Sequence, residues 1–358
     1  LESRDLRGLF EDIAMPPIDQ SNSSPRLSIC IATYSRAEFI AATLESIVCQ
    51  MRPDVELLVV DGASPDRTRE VMEAFCAAYP ATRYIREETN SGVDADFDKA
   101  VGYARGEYCW LMTDDDLLVP DAIERVCAFL DGNLDLLIVN SEVSNHDFTK
   151  VFQPRMLDVA DDQTYDAAGF ESFFIKTADL LTFIGAVVIK RSLWLERDRR
   201  SYYGTAFIHV GVIFQAPIAK IHVLADPVIN IRYGNAMWTP RAFEIWMIKW
   251  PRLIWSFKCI SDGAKAAVTP LEPYRYLKKL IWIRSTGAYS LTEYRKYLGS
   301  VRARSALFVA LLPGSWLNTF SSLYIMRFGR HPLGGLYNLV HSKNSTWITR
   351  RIAKSQGV

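Results

Sequence analysis

Glu107-Tyr108-Cys109-Trp110-Leu111-Met112-Thr113-Asp114-Asp115-Asp116 decides how the rest of the chain is read. It begins as an apolar, aromatic run of the kind that forms a buried strand. It ends in three consecutive carboxylates, followed by Leu117-Leu118-Val119-Pro120. Like charges side by side repel, and taking them out of water is costly unless something neutralises them. A divalent cation at the C-terminal end of the strand would do so. Mg2+ and Mn2+ take oxygen ligands, typically one or two carboxylates plus substrate phosphates. Taken alone, the triplet reads equally as a solvated loop before a helix opened by Pro120 and Asp121. The residues upstream decide for the cation.

Leu27 to Tyr34 reads as a buried strand, left by Ser35-Arg36. Phe39, Ile40, Leu44, Ile47 and Val48 then recur at helical spacing. Glu56 to Gly62 is a second strand ending in an acid, Asp61, and Ser64-Pro65-Asp66 opens a helix through Tyr79. Tyr84 to Arg86 is a short third strand. Asn90-Ser91-Gly92 is a turn, and Val93 to Arg105 suits a helix. The acid-tipped strand follows, then a helix from Pro120 to Leu130 and a strand from Leu134 to Ser141. Strands alternating with helices predict a parallel α/β sheet covered on both faces. Asp61 and Asp114–Asp116 both fall at strand C-terminal ends, the edge where such sheets bind ligands. No G-x-G-x-x-G or G-K-[ST] phosphate loop is present.

The net charge is zero, with 41 basic and 41 acidic residues. Residues 1–230 hold 21 Lys and Arg against 37 Asp and Glu, a net of −16; residues 231–358 hold 20 against 4, a net of +16. Seven of the nine tryptophans lie in the basic part. A chain polarised in this way has two jobs, one of them against an anionic partner. Nucleic acid is not expected, because no recognised binding motif is present. The six cysteines form no C-x-x-C pair and read as reduced core thiols. No signal peptide is read at the N-terminus, and the first residue is Leu rather than Met.

Leu224 to Ile231 reads as a strand returning to the sheet. Beyond residue 240, helices are expected over Arg241 to Ser261, Pro273 to Ser300 and Ser305 to Phe328. Ala306 to Met326 carries no charge but is split by Pro313-Gly314. The split and its Ser, Thr and Asn residues favour an interfacial or re-entrant hairpin, flanked by Arg302, Arg304, Arg327 and Arg330. A buried helical subdomain or an oligomer contact is the plainer reading of the same residues.

Several motifs in order resemble glycosyltransferase family 2. Ser28 to Arg36 looks like its first strand and nucleotide-gripping turn, and Thr43-Leu44-Glu45-Ser46-Ile47 like the helix that follows. Leu58 to Ser64 looks like the base-binding strand end. Asn90-Ser91-Gly92-Val93 and Ala104 to Tyr108 lead into the acidic motif. The Asn-x-Gly-Val-Asp and Gly-Glu-Tyr-Cys-Trp-Leu stretches are similar to the abequosyltransferase-like branch that builds bacterial O-antigen and related surface glycans.

The resemblance implies a GT-A fold, a Rossmann-like α/β architecture with a mostly parallel central sheet and helices on both faces, plus a mainly helical C-terminal region. It divides the chain into an arm over 1–25, a catalytic domain over 26–235 and a basic, Trp-rich region over 236–358 that meets the membrane and the acceptor. It implies inverting, metal-dependent transfer from a nucleotide-sugar to a hydroxyl of a lipid-linked or glycan acceptor. A polyprenyl-phosphate sugar synthase and a non-catalytic nucleotide-sugar scaffold are the alternatives. Ala32, Thr33 and Tyr34 would line the donor site, with Tyr34 stacked on the base. Arg36 would approach the diphosphate, Asp61 would accept from a base N–H, and Asp114 would sit near the ribose. Asp115 would hold Mn2+ or Mg2+, with Asp116 in support. The expected location is cytoplasmic, on the inner face of the cell membrane against anionic lipid, with a homo-oligomer left open.

Two departures stand out. Where the family often has Ala-Arg-Asn, this chain has Asp96-Phe97-Asp98, which leaves Lys99 as a substitute cation. Where it often has Glu-Asp with a catalytic Asp, this chain has Ile208-His209. His209 is therefore the candidate base, with metal or phosphate contact and a structural role as its alternatives.

Overall fold

The computed structural model describes residues 24–358 except 236, 238 and 302. The arm expected over 1–25 thus lies almost wholly outside the described residues, as does Arg302. The chain forms two compact units. One takes the residues up to Glu142 together with Pro154–Ile231; the other takes Val143–Gln153 and Arg232–Val358.

The first unit follows the alternation read from the sequence. In chain order the elements run β1 (Leu27–Thr33), α1 (Ile40–Val48), β2 (Val55–Asp61), α2 (Thr68–Ala78), β3 (Arg83–Arg86), α3 (Val93–Tyr103), β4 (Tyr108–Met112), β5 (Leu117–Leu118), α4 (Ala122–Leu130), β6 (Leu136–Ser144), β7 (Val151–Gln153, which falls in the second unit), β8 (Gln163–Tyr165), α5 (Phe170–Thr177), β9 (Val187–Lys190), α6 (Arg191–Glu196), α7 (Ile208–Phe214) and β10 (Ile221–Arg232). The sheet order is β3-β2-β1-β4-β9-β6-β10-β5. β1 to β4 are parallel to one another, whereas β9 runs antiparallel to both β4 and β6. β9 therefore lies between β4 and β6, and β5, which follows β4 in sequence, pairs with β10 at the far edge.

Helices cover both faces, so the strands read as continuous apolar runs. Leu27, Ile29 and Ile31 of β1 pack in one cluster with Leu44, Met72, Phe75 and Val126 of α1, α2 and α4. Cys30 faces the other way, its Sγ 3.9 Å from the Ala100 carbonyl of α3. All six cysteines are free. β10 returns to the sheet as its sequence implies.

The second unit is mainly helical and more broken than its sequence suggests. Trp246 and its neighbours belong to a helix from Ala242 to Ser256 with a π-helical stretch at Ile245–Lys249. Phe243, Ile245, Met247, Trp250, Leu253 and Ile254 are buried, so this aromatic segment is core. The helix expected from Pro273 to Ser300 stops after Leu277–Ser285. Gly287, at φ +82°, turns the chain, and the Ser290 side chain caps the next helical turn by accepting from Thr292 N–H. The helix expected from Ser305 to Phe328 is two helices, Arg304–Leu311 and Gly314–Phe328, bent by 98°. Pro313 cannot continue a helix, and Arg284 donates twice to the Leu312 carbonyl freed at the bend, at 3.0 and 2.8 Å. The hairpin at 143–153 also belongs here, with the Phe152 ring 5.9 Å from Tyr233 and 5.6 Å from Tyr337.

Candidate active site

Register brings the candidate residues together. Thr33 at the end of β1 pairs with Asp61 at the end of β2, and Ile31 pairs with Met112 on the other side. Successive strands lead from β1 to β2 and β3 one way, while β4 lies on the opposite side of β1. The crevice at this reversal is where open α/β sheets take their ligands.

The turn after β1 is fastened to the loop after β2. Gly62 N–H donates to the Thr33 carbonyl at 2.9 Å, and Ser35 N–H donates to Ser64 Oγ at 2.9 Å. Arg36 N–H donates to Thr68 Oγ1 and Ala37 N–H to Asp66 Oδ2, at 3.0 and 3.1 Å. Ser35 and Ala63 both sit in the left-handed region, at φ 56° and 61°. Non-glycine residues pay for that conformation, and it recurs where a ligand-binding loop is over-determined by its surroundings. A Cβ at Gly62 would meet Asp96 Oδ2 at 2.5 Å, so the close approach of α3 requires glycine there.

Asp61 is wholly buried, with both oxygens engaged: Oδ1 accepts from Ser64 N–H at 2.8 Å and Oδ2 from the Tyr84 hydroxyl at 2.7 Å. Arg86 Nε lies 3.6 Å from Oδ2. Burial, then the bond to Asp61, hold the Tyr84 phenol well above its ordinary range. Tyr34 is half-buried at the crevice. Neither Tyr84 nor Arg86 stands out in the sequence, because each acquires its role from strand pairing.

Asp114, Asp115 and Asp116 are only 8%, 8% and 2% exposed. Arg36 answers two of them, with Nε 3.4 Å from Asp114 Oδ1 and Nη2 3.2 Å from Asp115 Oδ2. Thr113 donates its hydroxyl to Asp116. Burial and the Asp115 charge push the Asp114 carboxyl up to about 7, against the pull of Arg36. A buried acid elsewhere in the sheet shows the contrast. Glu56 accepts from Ser28, Arg83 and Arg105 N–H and is fully matched. At the crevice three acids stand side by side, two of them against Arg36, a concentration of negative charge at the ligand-binding edge of the sheet.

The acids of α3 are engaged inside the protein. Asp94 accepts from Ala206 N–H at 2.8 Å and Ile208 N–H at 3.0 Å, fastening the start of α7. Ala206 is a further residue at positive φ, 71°. Asp96 accepts from Ser91 at 2.7 Å, and Asp98 accepts from the Trp194 indole and the Tyr203 hydroxyl at 2.9 and 2.6 Å. Lys99, the substitute cation, donates to Glu87 at 2.7 Å and Ser91 at 2.8 Å.

His209, on α7, is 1% exposed. Its Nε2 lies 2.8 Å from the Leu181 carbonyl, which can only accept, so Nε2 carries the proton. Nδ1 has no hydrogen-bond partner. Burial pushes the imidazole down to about 4, against the Leu181 bond. His209 is thus a neutral, interior imidazole.

The sheet, its helices on both faces and the crevice at the β1/β4 edge have the architecture of the GT-A fold. Residues 28–189 match the family model for glycosyl transferase family 2, and this segment of the chain is a domain of that family, whose activity is glycosyl transfer. Over 223 residues it is 28% identical to abequosyltransferase RfbV of Salmonella typhimurium, covering 58% of this chain and 67% of that one. Matches to several other curated glycosyltransferases span less than half of their length. The fold is similar to that of Staphylococcus aureus TarS 1–349 in complex with UDP, at a TM-score of 0.55 and 16% identity over 93% of this chain and 92% of that one. It is also similar to the mannosyltransferase PcManGT of Pyrobaculum calidifontis in complex with GDP-Man and Mn2+, at 0.50 and 15% over 94% and 91%.

Proposed function

We propose that this glycosyltransferase moves a sugar, with inversion, from a nucleotide-sugar to a hydroxyl of a lipid-linked or glycan acceptor in surface polysaccharide synthesis. The observation that carries the reading is the run of three buried carboxylates at the β1/β4 crevice, beside a strained turn that holds Tyr34 and Arg36. The abequosyltransferase match supports the surface-glycan assignment.

The donor site would run along the strand ends. Ala32 and Thr33 form its floor and Tyr34 offers a ring for the base. Asp61 orders Ser64, Tyr84 and Arg86 and keeps lone pairs for a base N–H. Arg36 supplies the positive charge for the diphosphate, and Asp114 lies beside it for the ribose.

A divalent cation fits the donor set. Asp115 and Asp116 would supply hard carboxylate oxygens to it. Among the described residues no three His, Cys, Asp or Glu side chains group as metal ligands. Mg2+ and Mn2+ commonly complete their shell with substrate phosphates and water. When bound, the cation offsets charge developing on the leaving diphosphate.

In the reaction the acceptor oxygen forms a bond to the sugar C1 as the C1–O bond to the diphosphate breaks, and the departing diphosphate takes the electron pair. His209 is the base the chain offers for the hydroxyl proton. Its neutral state and the lone pair on Nδ1 favour that role, and its burial opposes it.

The test is a thermal-shift panel of nucleotide-sugars with and without Mn2+, followed by product analysis. One donor should stabilise the protein in a metal-dependent way and yield a product of inverted configuration. No stabilisation by any donor, equal stabilisation after chelation, or a retained configuration would overturn the corresponding part. A polyprenyl-phosphate sugar as the end product would make the chain a synthase instead.

A further inference from the structure

Helices Arg304–Leu311 and Gly314–Phe328 both turn large apolar side chains outward, and the second is amphipathic in the reverse of the usual sense. On the second, Asn318, Ser321 and Ser322 are buried, whereas Trp316, Phe320 and Phe328 are 67%, 66% and 66% exposed. Leu323 and Tyr324 are exposed beside them, and the three- and four-residue spacing places all five on one stripe. On the first helix Ala306, Val309 and Ala310 are buried while Leu307, Phe308 and Leu311 face outward.

The inversion is built in. Asn318 donates to the Ser285 and Leu339 carbonyls at 3.2 and 3.0 Å and accepts from Thr349 at 2.7 Å. Its buried face is therefore satisfied as polar, and the apolar face has been turned out. A contiguous exposed apolar surface of this kind marks an interaction site.

The rim is cationic. Lys278 Nζ lies 5.5 Å from the Tyr324 ring centre and the Arg327 guanidinium 5.2 Å from that of Phe328. Arg304 is exposed at the start of the first helix. From residue 294 to the C-terminus the sequence holds ten Lys and Arg and no Asp or Glu.

We propose that this bent pair seats the protein in the surface of an anionic bilayer. Phe308, Trp316, Phe320 and Phe328 enter the boundary between headgroups and acyl chains, and Lys278, Arg304 and Arg327 meet lipid phosphates. No single helix among the described residues is long and apolar enough to cross a membrane, and the 98° bend suits a wedge lying in the interface. Anionic lipid complements the charge, whereas a second copy of the chain would set like charges against each other. The proposal does not rest on the donor chemistry.

The test is flotation of the full chain with vesicles of phosphatidylcholine alone or mixed with phosphatidylglycerol, at low and high salt. Binding should require the anionic lipid and weaken with salt. Lys278→Glu with Arg327→Glu should weaken it roughly tenfold or more, since each basic residue at such a surface is worth about a fivefold change. Trp316→Ser with Phe320→Ser and Phe328→Ser should abolish it. A thermal melt confirms that the variants fold, which keeps failure here separate from failure of donor chemistry. No flotation with either vesicle, flotation unchanged by both sets of substitutions, or a dimer that both sets dissociate would each overturn the proposal.

Discussion

The two units of this chain break the ordinary rule of burial in opposite directions. The N-terminal unit buries charge: Asp114, Asp115 and Asp116 sit nearly dry at the sheet edge, with Arg36 against the first two. The C-terminal unit exposes grease: Trp316, Phe320 and Phe328 stand in water while Asn318 and Ser322 are sealed beneath them. A buried polar group or an exposed apolar patch is the informative departure, because a scattered surface leucine is normal. Each departure costs stability in the isolated chain, and each is the observation on which a proposal rests, a cation with its donor in one case and an anionic bilayer in the other.

The sharpest way to break the comparison is at the acids. Asp115→Asn should lower turnover by roughly a hundredfold or more, the order seen when a group that stabilises leaving charge is removed. Metal-dependent donor binding should go with it. The melting temperature should hold or rise, because one of three crowded carboxylates is neutralised. Donor binding equal to the parent's would remove Asp115 from the metal site.

His209 tests whether the unit buries one functional group or two. Its folded pKa, about 4, lies below the ordinary 6.5. The unfolded chain therefore binds more protons between these values, and stability rises with pH across that window. The contribution should be complete above pH 6.5 and lost as pH falls towards 4, about 3 kcal/mol in all. His209→Ala should remove this part of the acid sensitivity. If His209 is the base, turnover should fall with little change in donor affinity. Normal turnover in a folded variant would leave it a packing residue of α7.

On the other side of the comparison, Asn318→Leu replaces a buried polar residue with an apolar one of similar size. Ordinary hydrophobic reasoning expects a gain. Here the substitution removes the buried hydrogen bonds of Asn318 to the Ser285 and Leu339 carbonyls and from the Thr349 hydroxyl, so a loss of about 1–3 kcal/mol is expected in a denaturant titration. An unchanged midpoint would mean that the polar face is not what holds the helix in place.

The sequence was most legible where its signals are local. A strand carries its own period and an acid at its tip, and parallel pairing then gathers Thr33, Asp61 and Asp114 without further information. Tyr84 and Arg86 were missed as site residues because their link to Asp61 exists only through the register of β2 with β3. Asp94 was read only as part of a turn motif, and its partners at Ala206 and Ile208 are more than a hundred residues away. The insertion of β9 beside β4 had no local sign, since an apolar strand does not name its neighbour. In the C-terminal unit, composition singled out the aromatic and cationic content but not its placement. Trp246 to Trp255 carries the denser aromatic pattern, yet packing makes that segment core and leaves the stripe from Trp316 to Phe328 outside.

The smallest effect is the most discriminating. Phe320→Ser removes a large aromatic residue from a helix, a change that costs about 3–5 kcal/mol where the ring is packed in a core. Here the ring is two-thirds exposed, so little apolar area returns to water on substitution. The serine hydroxyl is solvated at once, and its slightly poorer helix propensity is the chief remaining penalty. The stability of the isolated chain should therefore change by no more than about 0.5 kcal/mol, the usual range for a surface site. A loss of several kcal/mol would show that Phe320 is covered in solution, by another copy or by another part of the chain. The comparison would then lose its second half, because the grease would be buried after all.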